Sequence, residues 1–351
     1  MSKRNLAYLI AYCCTLLTYA QPRSALRVME YNVENLFDTL HATGHQDIEF
    51  TPQGDHQWNS ARYWAKLSRL SKVIAAVGGA TPVDLVALVE VENDSVVYDL
   101  TKRTKLWSMG YEYVMTHSAD ARGINVALLY LPHRFRLLSK DTIRVMPPSA
   151  KQHVTRDVMH VVGELITGDT LDVFVCHFPS RRGGEKAQRY RSLVAQRTHK
   201  AADSIINRRQ HPYVLITGDF NGYYPEPFLR DTLGVKLCSQ TDTTLLISSS
   251  DLYLLTHRLQ GQSDVRGTYK FQGTWNQLDH FIVNGAFWLR SSPLLIREVD
   301  GHFCRLIDFP FLLQADKSGQ GGVHPFRTYL GPYYQGGYSD HLPIVLDIIQ
   351  K

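Results

Sequence analysis

The chain has 351 residues, 44% of them hydrophobic and 20% charged, and a formal net charge of +5. These are globular values, and with no low-complexity tract or block of like charge they exclude a disordered chain. The mild basic excess permits a polyanionic partner without requiring one.

Residues 1–20 stand apart from the rest. Lys3 and Arg4 precede the apolar run from Leu6 to Leu17, and Thr18-Tyr19-Ala20 carries small residues where a signal peptidase reads. The pattern predicts a secretory signal peptide over 1–20, cleaved after Ala20, and a secreted or periplasmic protein whose residues 21–351 form one domain. The run is too short for a comfortable membrane anchor, and no other stretch approaches that length, so no transmembrane segment is expected in the mature chain. Bulky Tyr12 before Cys13 argues against a lipid anchor. Loss of Lys3 and Arg4 would take two from the net charge of +5, leaving a mildly basic protein. Of the remaining cysteines, Cys176 lies in an apolar run, which leaves Cys238 with Cys304 as the pair able to form a disulfide in an oxidising compartment.

From Leu26 onward, short apolar runs alternate with amphipathic stretches. Strands are expected over 26–32, 83–90, 124–131, 171–177, 213–219, 278–283 and 342–349, their continuous apolar character suiting burial on both faces. Trp64, Leu67, Leu70, Ile74 and Val77 recur at helical spacing, and Glu185 to Arg209 reads as a second long helix. His41 to Asn59 and Ser318 to Tyr338 read as surface excursions, the second running directly into Ser339-Asp340-His341.

Several strands end in a polar residue. "MEYNVENLFD" places Asn32 at one strand end, and "VALVEVEN" places Glu90 at another, where a carboxylate needs a cation or donor. A hard cation such as Mg²⁺ takes oxygen ligands and commonly only one or two protein carboxylates. Glu92 lies on the same face by parity and is a fallback ligand. "CHFPSRRGGEK" follows its strand with His177, then Arg181 and Arg182, a composition suited to phosphate, although a solvated basic loop would look the same. "ITGDFN" sets Asp219 and Asn221 two apart, on one side if the chain stays extended, while an Asx turn would use the same residues. Consecutive side chains diverge on extended backbone, so Ser339, Asp340 and His341 are not a self-contained hydrolase triad. No HExxH helix, Walker-type loop or structural-zinc spacing is present, which leaves metal chemistry with oxygen ligands.

In order, Asn32, Glu90, His177, Asp219 with Asn221, Asp279, and Asp340 with His341 resemble the endonuclease/exonuclease/phosphatase (DNase I-like) superfamily, in particular its secreted bacterial members. The matching runs "YNVEN", "LVEVEN", "CHFPS", "GDFN", "QLDHFIV" and "YSDHLPI" cover roughly Arg27 to Ile349. The resemblance implies an α/β fold, a four-layer sandwich of two packed mixed β-sheets flanked by helices. It also implies Mg²⁺-dependent attack of water on phosphorus, with Mn²⁺ or Ca²⁺ as alternatives. Glu90 would hold the metal, supported by Asn32 and Asp340. Asp279 would fix His341, which would contact the scissile phosphate or transfer a proton. Asp219 would orient or deprotonate the water, Asn221 would stabilise developing charge, and His177 would lie by the leaving group or phosphate. Arg122, in "ARGINVALLY", would join Arg181 and Arg182 on phosphate. Asn276-Gln277 before Leu278-Asp279 departs from the family's usual Ser or Arg, which bears on the orientation of Asp279.

The expected activity is that of a secreted endonuclease on DNA or RNA, with Arg181, Arg182, Lys186, Arg189 and Arg191 meeting the backbone and Tyr333, Tyr334 and Tyr338 able to stack on bases. Alternatives are a hydrolase of phospholipid head groups or of sugar or inositol phosphates, with "FPFLL" (309–313) as a membrane-facing candidate that reads more readily as buried, and a non-catalytic binding module. No stable protein partner is indicated, and a monomer is expected.

Overall fold

A computed structural model describes residues 25–147, 154–237, 247–260, 265–289, 291–316 and 321–351. The signal peptide expected over 1–20 and Cys238 of the candidate disulfide lie outside them, while Cys176 and Cys304 are buried thiols.

Six strands carry the architecture: β1 (Ala25–Leu36), β2 (Leu85–Val91), β3 (Thr170–His177), β4 (Tyr213–Asp219), β5 (Asp279–Asn284) and β6 (Ile344–Gln350). In the first sheet β1 is central, parallel to β2 on one side and antiparallel to β6 on the other. Asn125–Tyr130 and Glu112–Met115 extend it beyond β2, and Cys304–Leu306 and Leu259–Gln260 beyond β6. The second sheet runs Phe135–Ile143, Val158–Leu165, β3, β4, β5, Leu252–Leu254, Val235–Leu237. Each sheet mixes parallel and antiparallel neighbours.

The pleat decides which side chains meet. Along β3, Leu171, Val173 and Val175 enter the core shared with the first sheet, whereas Phe174 and Cys176 face the opposite way. That outer face is covered by α3 (Gly184–Arg208), through Tyr190, Val194 and Ile205. α1 (Ser60–Gly78) and α2 (Asp94–Lys102) cover the first sheet, giving the order helix, sheet, sheet, helix. The side chains of Asn59 and Asn93 cap α1 and α2 by accepting from Arg62 N and Val96 N. The face of α1 differs from the periodicity in two places. Trp64 is exposed and Tyr63 is buried instead, and Lys66 sits among the buried residues. The excursion over 41–59 is anchored rather than loose: Phe50 and Trp58 are buried, and Trp58 Nε1 donates to Phe37 O at 3.0 Å. In "FPFLL", Leu312 is buried while Phe309 and Phe311 pack half-buried against the core, which favours the buried reading. No described helix is long and apolar enough to cross a membrane.

Candidate active site

Strand register puts three of the expected residues in one row. His177 pairs with Asp219 across parallel β3 and β4, and Asp219 pairs with Asp279 across antiparallel β4 and β5. Such close parallel pairing depends on Gly218: its φ is +136°, and a Cβ there would lie 1.9 Å from Cys176 O.

Asp279 is fully buried and meets His341 Nδ1 at 2.7 Å, one residue beyond Asp340 on the approach to β6. Backbone pairing of His341 with Tyr269, and the hydrogen bond that His341 N donates to Ser339 Oγ at 3.1 Å, fix the residue's place. Burial works against the charged imidazole, but the charge and hydrogen bond of Asp279, with Asp219 and Asp340 behind them, raise its pKa well above the usual histidine range. His177 goes the other way. Burial, then the charges of Arg156, Arg122 and His341, hold it well below that range, so it is neutral. Its Nε2 stands 3.7 Å from Glu90 Oε1 and 3.8 Å from Asp219 Oδ2.

Asp219 and Asn221 satisfy both readings of "GDFN". The backbone leaves the extended form at Asn221, whose φ is 48°, and Asn221 N donates to Asp219 Oδ1 at 2.7 Å as in an Asx turn. The turn still brings the side chains together, with Asn221 Nδ2 3.1 Å from Asp219 Oδ2. Asn32 Nδ2 donates to the same oxygen at 3.2 Å, while its Oδ1 accepts from Glu34 N at 3.0 Å. Both ends of the Asn32 amide are therefore engaged in holding Asp219 and the β1 turn. Burial, then the charge of Asp279, raise the pKa of Asp219, and His341 opposes the shift.

The first sheet reaches the site through strained backbone. Glu34, Asn35, Glu90 and Asn221 all have positive φ and all line one cleft, a concentration of strain typical of functional sites. At Glu90, φ is 68° and the β2 register shifts between Val89 and Val91. That bulge separates the two carboxylates that parity places together: Glu90 faces the cleft and accepts from Asn35 N at 2.8 Å, whereas Glu92 turns to accept from Asp38 N at 2.6 Å and does not line it. Glu34 accepts from Thr328 N at 2.6 Å and Tyr329 N at 3.1 Å, clipping the loop before β6 onto β1. Beneath it Lys66 Nζ reaches Glu34 Oε2 at 3.7 Å, Tyr338 O at 2.7 Å and Thr328 Oγ1. Burial raises the pKa of Glu34 and lowers that of Lys66, each partly offset by the other's charge.

The cleft encloses about 760 Å³ and is lined by Glu90, His177, Asp219, Asn221, Asp340 and His341, with Asn32 and Asp279 behind its floor. Five arginines, Arg122, Arg156, Arg181, Arg182 and Arg327, surround it. Arg122 donates to Asn35 Oδ1, and Arg181 is paired with Glu226 at the rim. Other cations near His177 do not join them: Arg191 is buried, donating to Pro179 O at 3.2 Å, and exposed Lys186 and Arg189 lie on α3 outside the cleft. Of the three tyrosines, Tyr333 is exposed, Tyr334 lies under Arg62 and Tyr338 is buried against Phe311 and Phe326.

Sequence reading missed Glu34, Lys66, Arg156, Tyr269, Arg327 and Glu30. Lys66 carried a signal, a charge on the buried face of a helix, and so did Glu30, a carboxylate inside an apolar strand. Glu30 is fully buried, and burial followed by the charge of Asp279 raises its pKa well above the carboxylate range, so a neutral acid lies behind the dyad. Among the described residues, Asp219, Asp279 and His341 place ligand atoms within 4.8 Å of one another. With Nδ1 bonded to Asp279 and the ring held cationic, His341 has no lone pair for a metal, while the carboxylates of Glu90 and Asp340 also line the cleft.

The family model described as Endonuclease/Exonuclease/phosphatase family matches residues 27–350. No curated protein matches the chain. Among solved structures, Bacteroides thetaiotaomicron mannosyl-6-phosphatase is similar at TM-score 0.56 and 15% identity, covering 92% of this chain and 99% of that one. D. rerio TDP2 complexed with single strand DNA product aligns at TM-score 0.53 and 16% identity, over 93% and 99%. The human Nocturnin catalytic domain with bound sulfate anion aligns at 0.53 and 18%, over 94% and 96%. These likenesses carry the fold.

Proposed function

We propose that the chain, which belongs to the Endonuclease/Exonuclease/phosphatase family, is a secreted, metal-dependent hydrolase of phosphodiester bonds in nucleic acid, cleaving by attack of water on phosphorus. The observation that carries this reading is the cleft itself, where a buried Asp279–His341 dyad, a second carboxylate and a neutral histidine meet among five lining arginines, of which Arg156 is buried.

Glu90 and Asp340 offer carboxylate oxygens to a hard dication such as Mg²⁺, which when bound supplies positive charge against the phosphoryl oxygens. The remaining work falls to the chain's own groups. Asp219, held by Asn32 and Asn221, is oriented to accept the proton of the attacking water, and its raised pKa suits a base near neutrality. His341 donates Nδ1–H to Asp279 and presents Nε2 as a cationic donor to the phosphate, in a site already organised before charge develops. Neutral His177 supplies a further hydrogen bond to phosphate or leaving-group oxygen. Asn221, whose Nδ2 donates to Phe178 O and to Asp219 Oδ2, acts on the developing charge by holding Asp219 in place. Arg122, Arg181 and Arg182 meet flanking phosphates.

A second reading keeps the chemistry and takes a sugar or inositol phosphate or a phospholipid head group. The size of the cleft, about 760 Å³, suits a small ester, and a mannosyl-6-phosphatase shares the fold. Incubation of the mature protein with plasmid, single-stranded DNA, RNA, sphingomyelin, inositol phosphates and sugar phosphates in Mg²⁺ separates the two. Nucleic-acid cleavage abolished by EDTA and restored by Mg²⁺ is expected, with His341→Ala lowering it about 10²–10⁴-fold at unchanged circular dichroism. Hydrolysis confined to a small phosphate ester would overturn the nuclease reading.

A further inference from the structure

One aromatic feature at the cleft is left unused by the chemistry above. Residues Tyr269–Phe271 and Thr274–Asn276 form a hairpin whose two turn residues, Gln272 and Gly273, have φ of 47° and 78°, the signs of a type I′ turn. On such a strand alternate side chains share a face. Tyr269 and Phe271 lie in parallel at 6.5 Å and 11°, and Tyr269 lies over the ring of His341 at 4.9 Å. The result is a ladder of three rings from the catalytic histidine out to Phe271, which lines the cleft and is 53% exposed.

The hairpin is fixed from behind. Lys270, on the other face, is buried and donates to Asp316 Oδ2 at 2.9 Å and Val323 O at 3.0 Å. Phe271 is thus held open to solvent on a rigid support, where a core residue would be covered. Cations flank the ladder: Arg327 Nη2 donates to Lys270 O at 3.4 Å, and both Arg327 and exposed Arg182 line the cleft.

A flat apolar ring face beside guanidinium groups, one ring removed from the histidine that meets phosphate, matches a planar ring attached to a phosphodiester. We propose that the Tyr269–Phe271 face is a stacking platform for an unpaired nucleobase adjoining the scissile phosphate, which makes single-stranded ends and loops the preferred substrate; the inference rests on the nucleic-acid reading of the site. A base within a duplex is already stacked and cannot reach Phe271 without being flipped out, whereas base-to-aromatic stacking is tolerant of sequence.

The test is fluorescence anisotropy of wild type, Phe271→Ala and Phe271→Trp with a labelled oligothymidylate and with an abasic oligomer of equal length, in EDTA to keep both intact. Wild type should prefer the base-bearing oligomer, Phe271→Ala should shrink that preference about 5- to 150-fold, and Phe271→Trp should restore it. A preference unchanged in Phe271→Ala, while wild type still cleaves nucleic acid in Mg²⁺, would sink the platform and leave the nuclease reading standing. Wild type that cleaves no nucleic acid but hydrolyses a small phosphate ester removes both. Leu330 and Tyr333 are also exposed, at a neighbouring hairpin, so binding to phosphatidylcholine vesicles is measured in parallel. Vesicle binding lost in Phe271→Ala, with no base preference, would assign the ring to a lipid surface and overturn the inference.

Discussion

The buried ammonium of Lys66 shows how single residues hold the site in shape. It joins the β1 turn at Glu34 to Thr328 and Tyr338, which lie 262 and 272 residues beyond Lys66 itself. Removing one partner of a buried pair strands the other charge, a larger cost than losing the attraction itself. Lys66→Ala should therefore lower stability by about 3–5 kcal/mol in urea unfolding, and the Lys66→Met, Glu34→Gln double variant should lose clearly less than the two singles combined. Additive losses would mean that the two groups act independently. Asn32, Glu90, His177 and Asp219 were legible because a polar group closing an apolar run in the sequence needs a reason to be there, although β1 itself runs on past Asn32 to Leu36; His341 was legible because a polar pair opens the last such run. Glu34 and Arg156 were not, since their partners are set by tertiary packing.

At the scale of elements, register does what side-chain spacing alone cannot. His177, Asp219 and Asp279 align only because β3, β4 and β5 pair without slippage, and the close approach at Gly218 is part of that pairing. Gly218→Ala puts a methyl against Cys176 O at a φ that alanine resists. The expected result is destabilisation of more than about 1 kcal/mol and, since an error of 1 Å at a reacting group can cost about 10²-fold, a comparable fall in kcat. A folded Gly218→Ala protein with unchanged kcat would show that this contact does not set the row. Strands covered on both faces and long helices could be read from apolar runs and the 3.6-residue period, whereas the four-layer arrangement came from the family resemblance. The bulge at Glu90 could not: parity assumes unbroken pleat, and a single residue at positive φ sends Glu92 to a backbone amide instead of the cleft.

For the whole molecule, β6 is a structural member of the first sheet, and the segment leading into it carries His341 of the dyad. It pairs with β1, Leu294–Ile296 and Cys304–Leu306 and buries Ile344, Val345, Leu346 and Ile348. At roughly 1.5–3 kcal/mol for each buried side chain, its loss is comparable with the whole stability of a domain, about 5–15 kcal/mol. A chain ending before Gly337 should fail to give native circular dichroism and be inactive; a folded, inactive truncation would show that β6 serves catalysis alone. The contact between Ser339 Oγ and Asn32 O, 2.6 Å long and 307 residues apart in sequence, also has a meaning in time. At a synthesis rate of about 5–20 residues per second, the asparagine strand waits about 15–60 s for the residues that complete its site. On the mechanism proposed above, the nascent chain would lack the dyad throughout that interval, and with it the power to hydrolyse a phosphate ester.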